Sequence, residues 1–158
     1  MDKVRAEILN SDSAYLSCAQ IEINAPAQQI FELIADPRCH HLFDGSGTLQ
    51  GSISGPARLH LGAKFAMAMH IKVPYRITNT VVAFDEGRKI SWCHLMKWTW
   101  SYELVALPNG GTRVIESFDA RQIPFFAKKW LNFTGAMAHN PKWIAKSLVR
   151  LKAICENK

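Results

Sequence analysis

The stretch Arg88 to Asp119, RKISWCHLMKWTWSYELVALPNGGTRVIESFD, reads as three β-type segments separated by two short turns. In an antiparallel pair, directly opposed residues share a face of the sheet. Opposing Trp92 to Trp100, His94 to Trp98 and Ile90 to Tyr102 gathers the aromatic residues on one face. The other face then carries Lys89, Ser91, Cys93, Thr99, Ser101 and Glu103. A shift of one residue mixes the two sets and sets Trp92 against Thr99 or Ser101. The register that separates apolar from polar is therefore expected, although its loop, Leu95-Met96-Lys97, lacks a glycine.

The second hairpin carries a register signal of its own. A three-residue loop, Pro108-Asn109-Gly110, puts proline where its fixed φ suits a turn and glycine where a left-handed residue is needed. It pairs Leu104 with Val114, Tyr102 with Glu116 and Trp100 with Phe118. A two-residue Asn109-Gly110 turn would oppose Glu103 to Glu116 and ask Pro108 for an N–H it does not have. The three-residue loop leaves Glu116 as the carboxylate on an otherwise largely apolar inner face. An unpaired charge is costly there, so Glu116 is expected to be protonated, bonded to Tyr102 or to a ligand, or close to solvent. A slip of one residue would instead turn it outward.

Working outward, strands are expected near residues 48–54, 63–71 and 75–84, joined by short turns into an antiparallel meander. YLSCAQIEI (15–23) is also β-rich. NAPAQQIFELIAD then changes to helical chemistry, with an N-cap near Asn24 or Ala25, Pro26 in the first turn and Ile30, Phe31 and Ile34 on one face. Pro37 ends that helix, and RCHHLFDGSGT follows as short helix or loop. In KFAMAMHI the larger residues Phe65, Met67 and Met69 alternate with Lys64, Ala66, Ala68 and His70, so the larger set suits the interior. Methionines fit a permissive pocket and equally an ordinary core.

RQIPFFAKKWLNFTGAM reads as an aromatic-rich connector whose Phe125, Phe126 and Trp130 form either a lid over one end or a packed loop. Asn140-Pro141 opens a helix to about residue 156, with Ile144, Leu148, Leu151 and Cys155 on one stripe and Lys142, Lys146 and Arg150 opposite. The order is that of an α+β protein in a single domain over residues 1–158. A strongly curved antiparallel sheet of about six or seven strands is expected, with short helices after the first strand and a long C-terminal helix that must cover the sheet's apolar face.

The composition, 48% hydrophobic and 20% charged over 158 residues, supports a substantial core without disulfides or a structural metal. A formal charge of +6 would suit an acidic partner, but the cations of the last helix recur at four-residue steps, as on a solvated face. No RNP motif, zinc-finger spacing or basic block points to nucleic acid. No apolar run approaches the ~20 residues of a membrane span, so no stable membrane insertion is expected. The start MDKVRAEILN does not read as a secretory signal. Cys18, Cys39, Cys93 and Cys155 lack CxxC spacing and are expected as reduced thiols in the cytoplasm.

His40 and His41 are neighbours rather than an i, i+4 pair, so no metal site with Cys39 and Asp44 is expected. GSISG at 51–55 has isoleucine where a nucleophile elbow needs its nucleophile. GSG at 45–47 lacks a third glycine, there is no P-loop, and no cofactor is expected.

Five strings in order, IEINAPAQQIFELIADP, LGAKF with Gly62, VVAFDEGRKISW, WSYELVALPNGGTRVIES and LVRLKAICE, resemble the helix-grip superfamily over about residues 15–156. That superfamily includes START lipid-binding domains, the birch-pollen-allergen fold and the polyketide cyclase/dehydrase group. The resemblance implies a cavity between sheet and long helix that takes an apolar or aromatic small molecule, in members that are enzymes or pure binders. PRCHHLFD departs from the pattern, because such sequences often carry a tryptophan shortly after Asp-Pro. A different cavity mouth is expected here.

Together these readings predict binding of a hydrophobic, ring-containing small molecule, lipid or polyketide-like, lined by Phe65, Met67, Met69, Trp92, His94, Trp100, Tyr102, Glu116 and Phe118. Aromatic rings supply area, and Glu116, Tyr102 and His94 orient polar groups. The alternative is a cofactor-independent polyketide cyclase, dehydratase or aromatase-like enzyme with Glu116 as its general acid or base. His94 otherwise reads as a rim histidine. A third reading, salt-sensitive association with a partner or membrane surface, rests on the basic helix face. Monomer and homodimer both stay open.

Overall fold

The computed structural model describes residues 3–157. Its strands are β1 (Glu7–Leu9), β2 (Leu16–Ile23), β3 (Leu49–Ser54), β4 (Lys64–Ile71), β5 (Val73–Asp85), β6 (Lys89–His94), β7 (Thr99–Ala106) and β8 (Thr112–Asp119). They form one sheet in the order β1-β2-β8-β7-β6-β5-β4-β3, antiparallel throughout. The expected architecture is present with one strand more than the six or seven anticipated. The addition is β1, whose three residues pair from Glu7 with Gln20 to Leu9 with Cys18. So short and exposed a segment has no alternation by which to recognise it.

Both hairpin registers are those expected. Trp92 opposes Trp100 and Ile90 opposes Tyr102, while Tyr102 opposes Glu116 and Trp100 opposes Phe118. Gly110 takes φ 84°, and the loop closes through Gly110 N–H to the Leu107 carbonyl at 3.0 Å. In the other hairpin no glycine is available, and Lys97 itself adopts the left-handed conformation, at φ 68°. Beyond the last β6 pair, the His94 N–H donates to the Trp98 carbonyl at 3.2 Å.

Four helices accompany the sheet: α1 (Ala27–Ala35), α2 (His40–Phe43), α3 (Phe125–Thr134) and α4 (Ala136–Glu156), with a 3-10 turn at Pro37–Cys39 before α2. Pro26 is the extended cap of α1 rather than part of its first turn. The aromatic connector is a helix, α3, capped by Pro124 and stopped by left-handed Gly135. The long helix starts at Ala136, ahead of the expected Asn140-Pro141. Pro141 sits inside it, where the missing N–H forgoes one bond without ending the helix.

Ile144, Leu148, Leu151 and Cys155 of α4 are buried against the sheet, as are Ile30, Phe31 and Ile34 of α1. Each such large side chain contributes about 1.5–3 kcal/mol of transfer free energy. The strand pairing also gives the sheet two unlike ends. One row runs Leu16, Asp119, Thr99 and Cys93 across β2, β8, β7 and β6. Past that row β3, β4 and β5 continue, with Met67 paired to Ser52 and Ile77 and Met69 to Leu49 and Tyr75, and the β4–β5 tip, Ile71 with Val73, projects farthest.

Candidate functional site

Glu116 lies at the middle of β8, two residues in from Phe118, on the face that meets the helices. It is 1% exposed. Its Oε1 accepts from Tyr102 Oη at 2.8 Å and from Trp100 Nε1 at 2.9 Å, both on the neighbouring strand. Oε2 is buried and has no hydrogen-bond partner among the described residues. Burial pushes the carboxyl up to about 8, against the smaller downward pull of the Tyr102 and Trp100 hydrogen bonds. At neutral pH the group is therefore mostly a carboxylic acid. Oε1 already faces two donors, so the proton belongs on Oε2, and that oxygen is a buried donor in want of an acceptor. Burial, then the Glu116 charge, raises the Tyr102 phenol well above its ordinary value.

Aromatic rings form the surroundings. Trp92 tilts against Tyr102 at 5.8 Å, and the Phe43 edge meets Tyr102 at 6.3 Å. His40 stacks on Trp92 at 5.0 Å and stands edge-on to Phe65 at 5.7 Å. Its Nε2 lies 2.7 Å from the Ile34 carbonyl, which only accepts, so Nε2 carries the proton. Burial lowers this imidazole to about 4 and keeps it neutral. On the Glu116 side, Trp100 packs edge-on to Phe118 at 5.1 Å.

Every expected lining residue faces the helices. Phe65, Met67, Trp92, Tyr102, Glu116 and Phe118 are buried there, whereas Met69, His94 and Trp100 are half-buried toward the end from which the β4–β5 hairpin projects. His94 stacks on Trp98 at 4.8 Å, and its Nδ1 accepts from the Met96 N–H at 3.2 Å. Partial burial lowers its pKa. A depression of about 440 Å³ lies elsewhere, between the region from β1 to early β2 and the start of α4, and includes none of the expected lining residues. Phe125, Phe126 and Trp130 neither close over the site nor pack as a loop: they are exposed on α3. No group of three or more His, Cys, Asp or Glu side chains gathers with metal-binding geometry among the described residues.

Neither His40, which the sequence brings up only beside an unlikely metal set, nor Phe43 is among the lining residues expected from sequence. The available signal was their i, i+3 spacing just after Pro37, which puts both rings on one face of a short helix. These two rings stand shortly after Asp36-Pro37, where the superfamily often carries a tryptophan.

No family model matches the chain. It is 37% identical over 134 residues to the uncharacterized protein Rv0088 of Mycobacterium tuberculosis strain H37Rv, and 36% identical to the uncharacterized protein MT0096 of strain CDC 1551. Each alignment covers 83% of this chain and 60% of the relative, so the chain spans less than two thirds of these curated relatives' length. Among solved structures it is similar to protein Ms6760 from Mycobacterium smegmatis, with a TM-score of 0.71 and 15% identity over 98% of this chain and 99% of the other. It is also similar to the polyketide-cyclase-like protein Cgl2372 from Corynebacterium glutamicum, with a TM-score of 0.62 and 19% identity over 92% and 94%. An AHSA1-like protein from Aeromonas hydrophila matches with a TM-score of 0.56 and 19% identity over 87% and 93%. Likeness at such identities speaks for the fold and leaves the chemistry to the residues.

Proposed function

We propose that this chain, which has the helix-grip fold of polyketide-cyclase-like and AHSA1-like proteins, binds a hydrophobic, ring-containing small molecule that offers a hydrogen-bond acceptor to Glu116. The observation that carries this reading is the buried Oε2 of Glu116 without a partner. Leaving such a donor unsatisfied costs about 1–3 kcal/mol, and a ligand carbonyl recovers much of that. A polyketide-like ketone meets the requirement, with Trp92, Trp100 and Phe118 supplying flat apolar area. Met69, His94 and Trp100 are the half-buried members of this lining, so the proposed access is at their end, where Trp100 is bonded to Glu116.

Calorimetric titration with polycyclic ketones and the matched hydrocarbons tests the reading. Ketones should bind about tenfold more tightly, the value of one hydrogen bond. Glu116→Leu should erase that preference, while Glu116→Gln, which keeps an N–H donor at the same place, should retain it. Absence of binding by either class, or an undiminished preference in Glu116→Leu, would refute it.

A second reading is favoured by the position of the Glu116 pKa, about 8, close to neutrality. Such a group gives up and retakes a proton readily, as a cyclase or dehydratase requires. It separates from pure binding in one variant, because Glu116→Gln would then bind ketones and turn none over.

A further inference from the structure

Three exposed apolar features stand at the same end of the sheet. The first is α3, which displays Phe125 (73% exposed), Phe126 (64%), Trp130 (57%) and Phe133 (85%) and buries only Ala127 and Leu131. It is fixed there by Asn132 Nδ2 donating to Tyr15 Oη at 3.0 Å and by Lys128 Nζ lying 5.0 Å from the Tyr15 ring centre. Tyr15 directly precedes the Leu16–Asp119 pair that ends the sheet. The second is the β6–β7 turn just past the same row, with Leu95 exposed by 88%. The third is the projecting tip of β4–β5, where Ile71 and Val73 are exposed.

Each feature pairs its apolar residues with cations. Lys72 stands between Ile71 and Val73, Lys97 follows Leu95-Met96, and Lys128 and Lys129 lie within α3. None of these four lysines has an ion-pair partner among the described residues. From residue 120 to 155 the chain has seven Lys and Arg and no Asp or Glu. At this end Asp119 is bridged to Arg121, Asp44 accepts from Ser46, and Asp12 stands in the loop before β2. Single exposed apolar residues need no account, but three separate elements with the same apolar-plus-lysine makeup at one end do. Aromatic rings that enter a lipid interface, rimmed by lysines at headgroup level, match an anionic bilayer in both chemistry and charge.

We propose that this end docks peripherally on an anionic membrane surface, with α3 and the two hairpin tips as its contact points. No helix among the described residues is long and apolar enough to cross a membrane, which suits adsorption rather than spanning. The proposal extends beyond the ligand reading and is measured without any ligand. The contact surface also differs from the α4 basic face expected from sequence, because here apolar and cationic groups coincide.

Flotation with phosphatidylcholine vesicles, pure or with phosphatidylglycerol as about a third of the lipid, tests it. Partition onto the anionic vesicles should be at least about tenfold stronger and should fall steeply between about 0.1 and 0.5 M NaCl. Phe126→Ser with Trp130→Ser should lose most of the binding, and so should Lys128→Glu with Lys129→Glu. Leu95→Ser with Lys97→Glu, on a different element, should weaken it independently, and thermal melts should show all three variants folded. Absence of flotation, or flotation unchanged by all three variants, overturns the proposal. Concentration-dependent dimerisation abolished by Trp130→Ser, without flotation, would assign the surface to a second copy of the chain and equally overturn it.

Discussion

Glu116 binds its proton more tightly in the folded chain than in the unfolded one, where its pKa is near 4.5 against about 8 in the fold. Folding is therefore favoured at low pH by this group, and that contribution drains away as pH rises toward 8. His40 acts in the opposite sense, since its folded value of about 4 lies below the ordinary 6.5. Unfolding at low pH lets its ring take up a proton, so its effect makes stability rise with pH between about 4 and 6.5. Below 6.5 the two slopes oppose each other, and above it Glu116 acts without that counterweight. Denaturant melts should show stability falling by about 1–2 kcal/mol from pH 6.5 to 8, at no more than about 1.4 kcal/mol per pH unit. Glu116→Gln should remove most of that decline. If wild type and variant trace the same curve, the carboxyl does not stay protonated in the folded chain. The inward direction of Glu116 was legible, because Pro108-Asn109-Gly110 selected the register. Its unpartnered Oε2 was not, since which carboxyl oxygen finds donors depends on the side-chain positions of Trp100 and Tyr102 in three dimensions.

At the level of elements, legibility followed the strength of local periodicity. Trp92, Trp100 and Tyr102 alternate with Ser91, Cys93, Ser101 and Glu103, and that contrast alone sufficed to pair β6 with β7. The stripe Ile144, Leu148, Leu151 and Cys155 marked α4 for the same reason. Its start was misplaced because Asn-Pro is a common opening signal, whereas here left-handed Gly135 makes the break and Pro141 is absorbed inside. α3 is not legible as a helix because its aromatic residues are on the outside and only Ala127 and Leu131 face the core, so no apolar stripe of ordinary width exists. The stripe on α4 and the exposed face on α3 should respond very differently to truncation. Leu148→Ala, at a fully buried position, should cost about 2–5 kcal/mol in a denaturant melt. Phe133→Ala, at a largely exposed one, should stay within about 0.5 kcal/mol. A large loss at Phe133 would mean that α3 packs its aromatic face inward.

Across the whole molecule, packing divides the sheet by its ends. Ala19 and Ile90, in the row of Glu116, and Val114, farther toward one end, are fully buried, as are Ile144, Leu148 and Leu151 of α4. At the other, the β4–β5 hairpin runs past its neighbours, and β3 beside it is an exposed edge strand with two register breaks. Backbone hydrogen bonds there are backed by little buried apolar surface, so they open locally at low free-energy cost. Hydrogen exchange should accordingly find the central amides of β2, β7 and β8 exchanging only through global unfolding, with one common free energy and a strong dependence on denaturant. Amides of residues 71–77 and of β3 should exchange orders of magnitude faster, with almost no denaturant dependence. The half-buried Met69, His94 and Trp100 lie on this looser side, so the proposed ligand and the proposed bilayer would both meet the part of the fold that yields most easily. Addition of a polycyclic ketone should then slow exchange in 67–77 and 94–100 beyond the uniform gain that any native-state ligand confers. Equal slowing everywhere would place the ligand away from that end, and protection of 71–77 as high as that of β8 in the free protein would remove the division itself.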